Sequence, residues 1–110
     1  MEINSRVVGH VSVVDIERVI DAKSVLPAQE HLLALVRPGS KLLLNLRRVT
    51  YMSSSGLRML LSVYRQISSN NGSIALAEAS EEIKEDMAVT GFLRYFEIYG
   101  TVDAGLAALS

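Results

Sequence analysis

The sequence contains no cysteine. That excludes a disulfide framework, a cysteine-ligated zinc site and a thiol nucleophile, and it removes any mark of an oxidising compartment. No uninterrupted apolar run is longer than five residues (32–36). A membrane-spanning helix needs about 20, so no membrane span is expected. The first residues, Met1-Glu2-Ile3-Asn4, lack the basic and apolar regions of a signal peptide. A cytoplasmic protein is the expectation. Glycine-rich phosphate loops are missing as well: the seven glycines are scattered and form neither a GxGxxG nor a Walker pattern. No cofactor and no metal are expected, because no His/Asp/Glu spacing suits a metal ion.

What is present describes an ordinary globular domain. The chain has 110 residues, 49% of them hydrophobic and 21% charged. Two cores would each be too small to bury enough surface, so one domain over residues 1–110 is expected. The net charge of −1 hides an uneven distribution. Residues 31–77 carry six bases (Arg37, Lys41, Arg47, Arg48, Arg58 and Arg65) and no acid, while residues 78–110 carry seven acids and two bases. Bases so dispersed, with few aromatics between them, make a poor nucleic-acid footprint. They read as a solvated face that the acidic last third neutralises, and no nucleic-acid partner is expected.

The periodicity alternates between strand and helix. Residues 3–8 and 11–20 are rich in β-branched side chains and flank Gly9-His10, which implies a hairpin. Ser24 stands where it can cap a helix whose first turn holds Pro27 and whose stripe is Val25, Ala28, Leu32, Leu35 and Val36. Arg37-Pro38-Gly39 stops it. Residues 41–46 are apolar at both parities, as in a central strand covered on both faces. Leu57, Leu60, Leu61, Tyr64 and Ile67 then form the apolar stripe of the clearest helix, which Asn70-Asn71-Gly72 ends, with Gly72 available for the left-handed position. Residues 73–77 read as another buried strand. Ser80 caps a helix with Glu81 and Glu82 at its positive end, Ile83, Met87 and Ala88 inward, and Gly91 after it. Residues 96–99 suggest a short edge strand, and Thr101 caps a last helix over 102–109. The order β-β-α-β-α-β-α-β-α predicts an α/β fold. It would have a mixed sheet of four to five strands, with about four helices packed mainly on one face.

No catalytic constellation can be assembled. His10 falls at a turn and His31 on the polar side of a helix. Glu81, Glu82, Glu85 and Asp86 read as solvated, dipole-matched charge. Ser55-Gly56 is half of a nucleophile elbow without the rest of Gly-x-Ser-x-Gly, so a hydrolase using Ser54 or Ser55 is a weak third reading. The unusual stretch is Met52-Ser53-Ser54-Ser55-Gly56-Leu57-Arg58, three serines between an apolar strand and an amphipathic helix. Capping needs one serine, not three. Gly56 inside the first turn costs about 1 kcal/mol relative to alanine, which suits a position where another backbone or protein comes close. Hydroxyls at a helix start are open to a kinase, and the positive helix end tolerates the resulting phosphate.

The run Tyr51-Met52-Ser53-Ser54-Ser55-Gly56-Leu57-Arg58-Met59-Leu60-Leu61 resembles the signature of the STAS domain, the fold of bacterial anti-sigma factor antagonists. In that family an Asp-Ser-Ser/Thr-Gly-Leu segment joins the third strand to the second helix. The element order, the strand at 42–46 and Asn71-Gly72-Ser73-Ile74-Ala75-Leu76 extend the likeness over nearly the whole chain. The resemblance implies that Ser54 is the phosphorylated serine, with Ser53 and Ser55 as rivals. Ser55 then stands for the following Ser/Thr and Gly56 for the glycine. Ser53 stands where the family has Asp. Family members often carry Gly-x-Leu-Asp at the end of the second strand. Here that stretch is Arg18-Val19-Ile20-Asp21, with Arg18 in the glycine position.

Such a protein is a ligand and a substrate, not an enzyme. The resemblance implies an anti-sigma factor that is also a serine kinase as partner, with ATP held by that partner, and a serine phosphatase that resets the switch. The expected partner-binding residues are Asp21, Ser24, Ser53, Ser54, Ser55, Gly56 and Arg58, gathered at one end of the sheet. The alternative is a STAS docking subunit of a signalling or lipid-transport assembly. The sequence leaves a homodimer open.

Overall fold

The computed structural model describes residues 2–110. β1 (Glu2–Val8) and β2 (Val11–Ile20) form the antiparallel hairpin, and Gly9 turns it at φ +62°, where glycine alone is unstrained. Then come α1 (Val25–Leu33), β3 (Lys41–Met52), α2 (Ser54–Ser69), β4 (Ser73–Ala77) and α3 (Glu81–Val89). A single 3₁₀ turn, Phe92–Tyr95, leads to β5 (Glu97–Tyr99) and α4 (Val102–Leu109). The sheet runs β1-β2-β3-β4-β5, antiparallel at β1–β2 and parallel at every later pair. This is the mixed five-stranded α/β fold that the sequence implies.

β3 is the central strand because its apolar residues serve both faces. Leu42, Leu44 and Leu46 point to the main core with Val14, Ile16 and Ile20, under α1, α2 and α3. Leu43 points the other way and joins Val11, Val13, Ala75 and Ala77, against which α4 lays Val102, Leu106 and Leu109. Each fully buried leucine or isoleucine contributes roughly 1.5–3 kcal/mol. Three helices thus share one face and α4 alone covers the other.

Several expectations need correction. β3 does not stop near residue 46: residues 47–52 continue the ladder against Glu17–Ile20, with Val49 and Met52 buried. The pair Arg47-Arg48 disguises this, since both side chains are exposed and Arg48 bridges to Glu17 at 3.0 Å. α1 ends at Leu33, before Arg37-Pro38-Gly39. Ser24 occupies its N-cap position but makes no cap bond. In α2, Met59 and Val63 enter the core, while Leu61 and Tyr64 are only half-buried, so the stripe is rotated from the one expected. After α2 the left-handed residue is Asn71 (φ +57°), not Gly72. Gly72 is needed for a different reason: a Cβ there would run into the Ser40 carbonyl. Ala88 is exposed rather than inward.

Arg18 has φ +73°, beside an irregularity in the β2–β3 register. A non-glycine residue in that region carries about 1–2 kcal/mol of strain. The strand end keeps a glycine-type conformation even though arginine fills the position.

Candidate partner-binding site

The parallel pairing of β2 with β3 brings two loops together. Ile20 and Met52 are paired residues at the strand ends, and the Ser53 N–H donates to the Ile20 carbonyl at 2.9 Å. Residues 21–24 leave β2 and residues 53–58 leave β3 at this same end. The expected grouping of Asp21 and Ser24 with the serine run is therefore present in the fold.

The three serines have distinct environments. Ser53 is the N-cap of α2, extended at φ −73° and ψ 171°, and its hydroxyl accepts from the Gly56 N–H at 3.3 Å. Ser54 is the first helical residue and is exposed. Its hydroxyl has no hydrogen-bond partner among the described residues. Ser55 is half-buried, with the Arg58 guanidinium 3.5 Å from its hydroxyl. Arg58 is itself exposed and forms no ion pair among the described residues.

Gly56 is buried, so it presents little to a partner. A Cβ on it would lie 2.8 Å from Met52 Cγ, 2.9 Å from Ile20 Cγ2 and 3.2 Å from the Ile20 carbonyl oxygen. The close approach that the glycine serves is internal: it lets the start of α2 sit on the ends of β2 and β3. The neighbouring loop is also held from within. The Asp21 carboxylate accepts from the backbone N–H groups of Lys23 at 3.0 Å and Ser24 at 3.2 Å. The Ser24 hydroxyl accepts from the Asp21 N–H at 3.0 Å and lies 3.2 Å from the Val19 carbonyl. Both side chains are half-buried. Their first effect is to fix the loop beside the serines.

Sequence reasoning missed a shallow groove of about 240 Å³ next to Ser54. Tyr51, Met52 and Leu57 line it from the serine side, and Asp86 and Val89 from α3. The available sign was Val89, an apolar residue that does not share the inward register of Ile83 and Met87. A separate polar groove of about 330 Å³ lies on the α4 side of the sheet, among Asn4, Asp15, Glu17, Asn45, Arg47 and Arg48. Its charges answer one another: Arg6 meets Asp15 at 3.1 Å, and Asn45 donates to Asp15 at 2.8 Å. Burial alone would raise the Asp15 pKa, but these hydrogen bonds and the charges of Arg6 and Arg48 hold it below the ordinary value. The acidic last third neutralises only part of the basic stretch, through Arg47 and Glu78 at 4.0 Å.

Among the described residues no group of three or more His, Asp or Glu side chains converges as a metal site, and no helix is long and apolar enough to cross a membrane. The geometry offers an exposed hydroxyl on a capped helix start, flanked by an anchored loop and an apolar groove.

Comparison with known proteins identifies the family and the fold. The STAS domain model matches residues 2–105. The chain is 30% identical over 94 residues to a Bordetella bronchiseptica protein named as an anti-sigma factor antagonist, BtrV, covering 84% of this chain and 81% of the other. It is 28% identical over 93 residues to the anti-sigma-B factor antagonist of Bacillus subtilis, covering 84% and 85%. The crystal structure of a Thermotoga maritima protein described as an anti-sigma factor antagonist superposes with a TM-score of 0.88 at 18% identity. That match covers 97% of this chain and 93% of the other.

Proposed function

The chain belongs to the STAS domain family, and we propose that it acts as an anti-sigma factor antagonist controlled by phosphorylation of Ser54. Unphosphorylated, it binds an anti-sigma factor that is also a serine kinase, and the sigma factor is released. In the kinase complex the Ser54 oxygen attacks the γ-phosphorus of ATP held by the partner. ADP leaves, and the hydroxyl proton passes to a base of the kinase. A serine phosphatase restores the hydroxyl by hydrolysis. The protein is a substrate and a ligand in this cycle rather than a catalyst, and it works in the cytoplasm as a single STAS-like domain.

The observation that carries this reading is the division of the serines. Ser53 is occupied as the cap, which leaves the Ser54 hydroxyl exposed and without an internal partner. A phosphate adds about −1.5 to −2 charge. Inside a contact it must be desolvated or matched, and mismatch costs several kcal/mol. Each 1.4 kcal/mol is tenfold in affinity, so a loss of two to three decades follows without refolding of the domain. The test is incubation of wild type, Ser53→Ala and Ser54→Ala with the purified kinase and labelled ATP. Ser54→Ala should take up no label and should hold the kinase persistently. Undiminished labelling of Ser54→Ala refutes the site. An unlabelled wild type would favour the docking-subunit alternative.

A further inference from the structure

Among the described residues, two of the five large hydrophobic side chains left exposed, Tyr51 and Val89, line the groove beside Ser54. Tyr51 is 54% exposed and Val89 is 88% exposed. Scattered exposed apolar residues need no explanation, whereas exposed apolar side chains that converge on one concavity have the pattern of a binding surface. Met52 and Leu57 form its floor, both nearly fully buried. Ser54 is part of the wall, so a partner that reaches its hydroxyl necessarily covers the mouth.

From this we infer that the groove is the anchor pocket of the antagonist. It seats an apolar side chain of the anti-sigma kinase whose neighbouring basic residues face the acidic edge of α3. The inference rests on the function proposed above and names what that partner must present. Charge sets the chemistry of the flanks. On α3, Glu82, Glu85 and Asp86 are exposed and take part in no ion pair among the described residues. Glu81 alone is matched, by Lys84 at 2.8 Å. An interface of this kind has an apolar centre and a charged rim, and its central anchor carries a large share of the affinity.

The pocket also gives the phosphate a point of action. No basic side chain lines it, and its one carboxylate is Asp86. A phosphate on Ser54 therefore stands at the rim of a concavity whose own lining offers no cation; drawn to the start of α2, it keeps its hydration shell at the mouth. Apolar closure and phosphorylation then exclude each other. Asp86 also supplies acidic character next to the phosphoacceptor, in a chain whose family aspartate is replaced by Ser53.

The experiment titrates the purified anti-sigma kinase of the source organism against wild type and two pairs of variants. One pair changes the serine loop (Ser54→Asp, Arg58→Glu) and the other the groove (Val89→Asp, Tyr51→Asp). Val89 and Tyr51 are exposed, so their replacement leaves the fold intact, which circular dichroism verifies. The groove variants should each weaken binding about tenfold or more, and Val89→Leu should bind within about twofold of wild type. If the loop variants lose affinity while both groove variants bind as wild type does, the pocket is not the anchor and the proposed function stands. If the kinase binds neither wild type nor any variant, the proposed function fails and the anchor assignment fails with it.

Discussion

Replacing Gly56 by alanine tests whether the site is built on close packing or on helix propensity, because the two act in opposite directions. In a helix interior alanine is favoured over glycine by about 1 kcal/mol. Against this, the new methyl would sit 2.8 Å from Met52 Cγ, 2.9 Å from Ile20 Cγ2 and 3.2 Å from the Ile20 carbonyl oxygen. Ile20 is fully buried and its β-branched side chain has little torsional freedom, so the γ-methyl cannot swing aside. The carbonyl is tied to the Ser53 N–H at 2.9 Å, so it cannot withdraw without breaking the bond that joins the two loops. Overpacking of this kind costs about 1–3 kcal/mol. With neither neighbour able to yield, the penalty falls in the upper part of that range, about 2–3 kcal/mol, so Gly56→Ala should lose about 1–2 kcal/mol net.

For a domain of this size that is a fall in Tm of roughly 5–10 °C, readable by calorimetry or circular dichroism. The urea midpoint should fall with the slope unchanged. Gly100→Ala is the control: a Cβ there meets nothing within 4 Å and the backbone is not left-handed. It should be neutral or stabilise by about 0.4–1 kcal/mol. A Gly56→Ala variant as stable as wild type, or more so, would refute the claim that this glycine is reserved by the approach of β2 and β3.

Two further outcomes follow from side-chain roles. Ser53→Ala should lose about 1 kcal/mol in urea unfolding because it removes the α2 cap, whereas Ser54→Ala should stay within about 0.5 kcal/mol of wild type; the reverse ranking would reassign the cap. Asp15 has a depressed pKa in the folded state, so its contribution to stability is present above the unfolded pKa and is lost as pH falls through the folded one. Asp15→Asn should therefore unfold at lower urea than wild type at pH ~7, with the gap narrowing below pH ~4, and a gap that does not change with pH would contradict the ion-pair reading.

The fold was legible because nearly every boundary in this chain is marked by local chemistry. Gly9, Ser80, Gly91 and Thr101 each sit where the sequence puts them, and Ser80 and Thr101 make the cap bonds expected of them. The misreadings have a common cause, which is tertiary context acting on ambiguous residues. Arg47 and Arg48 look like loop residues, yet β2 supplies a ladder and Glu17 a counter-charge, so the strand continues through them. Leu61 and Tyr64 satisfy helical spacing as well as Met59 and Val63 do, and only the position of the sheet decides which set is buried. Ser24 is a good capping residue by type, but Asp21 offers its hydroxyl a nearer donor. The serine run marked the candidate site. The sequence could not show that α3 lends Asp86 and Val89 to the same concavity, because no periodic signal links residues so far apart.

The departure from the family pattern at Ser53 changes the site's electrostatics without disturbing its geometry. An aspartate at an N-cap accepts from the same first-turn N–H groups that Ser53 now serves, so serine preserves the start of α2. What it removes is one negative charge immediately before Ser54, the proposed phosphoacceptor. That charge would compete with a phosphate for the helix's positive end, since both are anions drawn to the same unpaired N–H groups. With a neutral cap, the end of α2 is free to receive the full charge of a phosphoserine at position 54. The phosphorylated form should be correspondingly better tolerated by the fold. Ser53→Asp separates the two effects: it should leave the unphosphorylated protein as stable as wild type while making the Ser54 phosphate less stabilising, measured as the difference in urea midpoint between the two forms. Equal differences for wild type and Ser53→Asp would mean that the cap and the phosphate do not share the helix end.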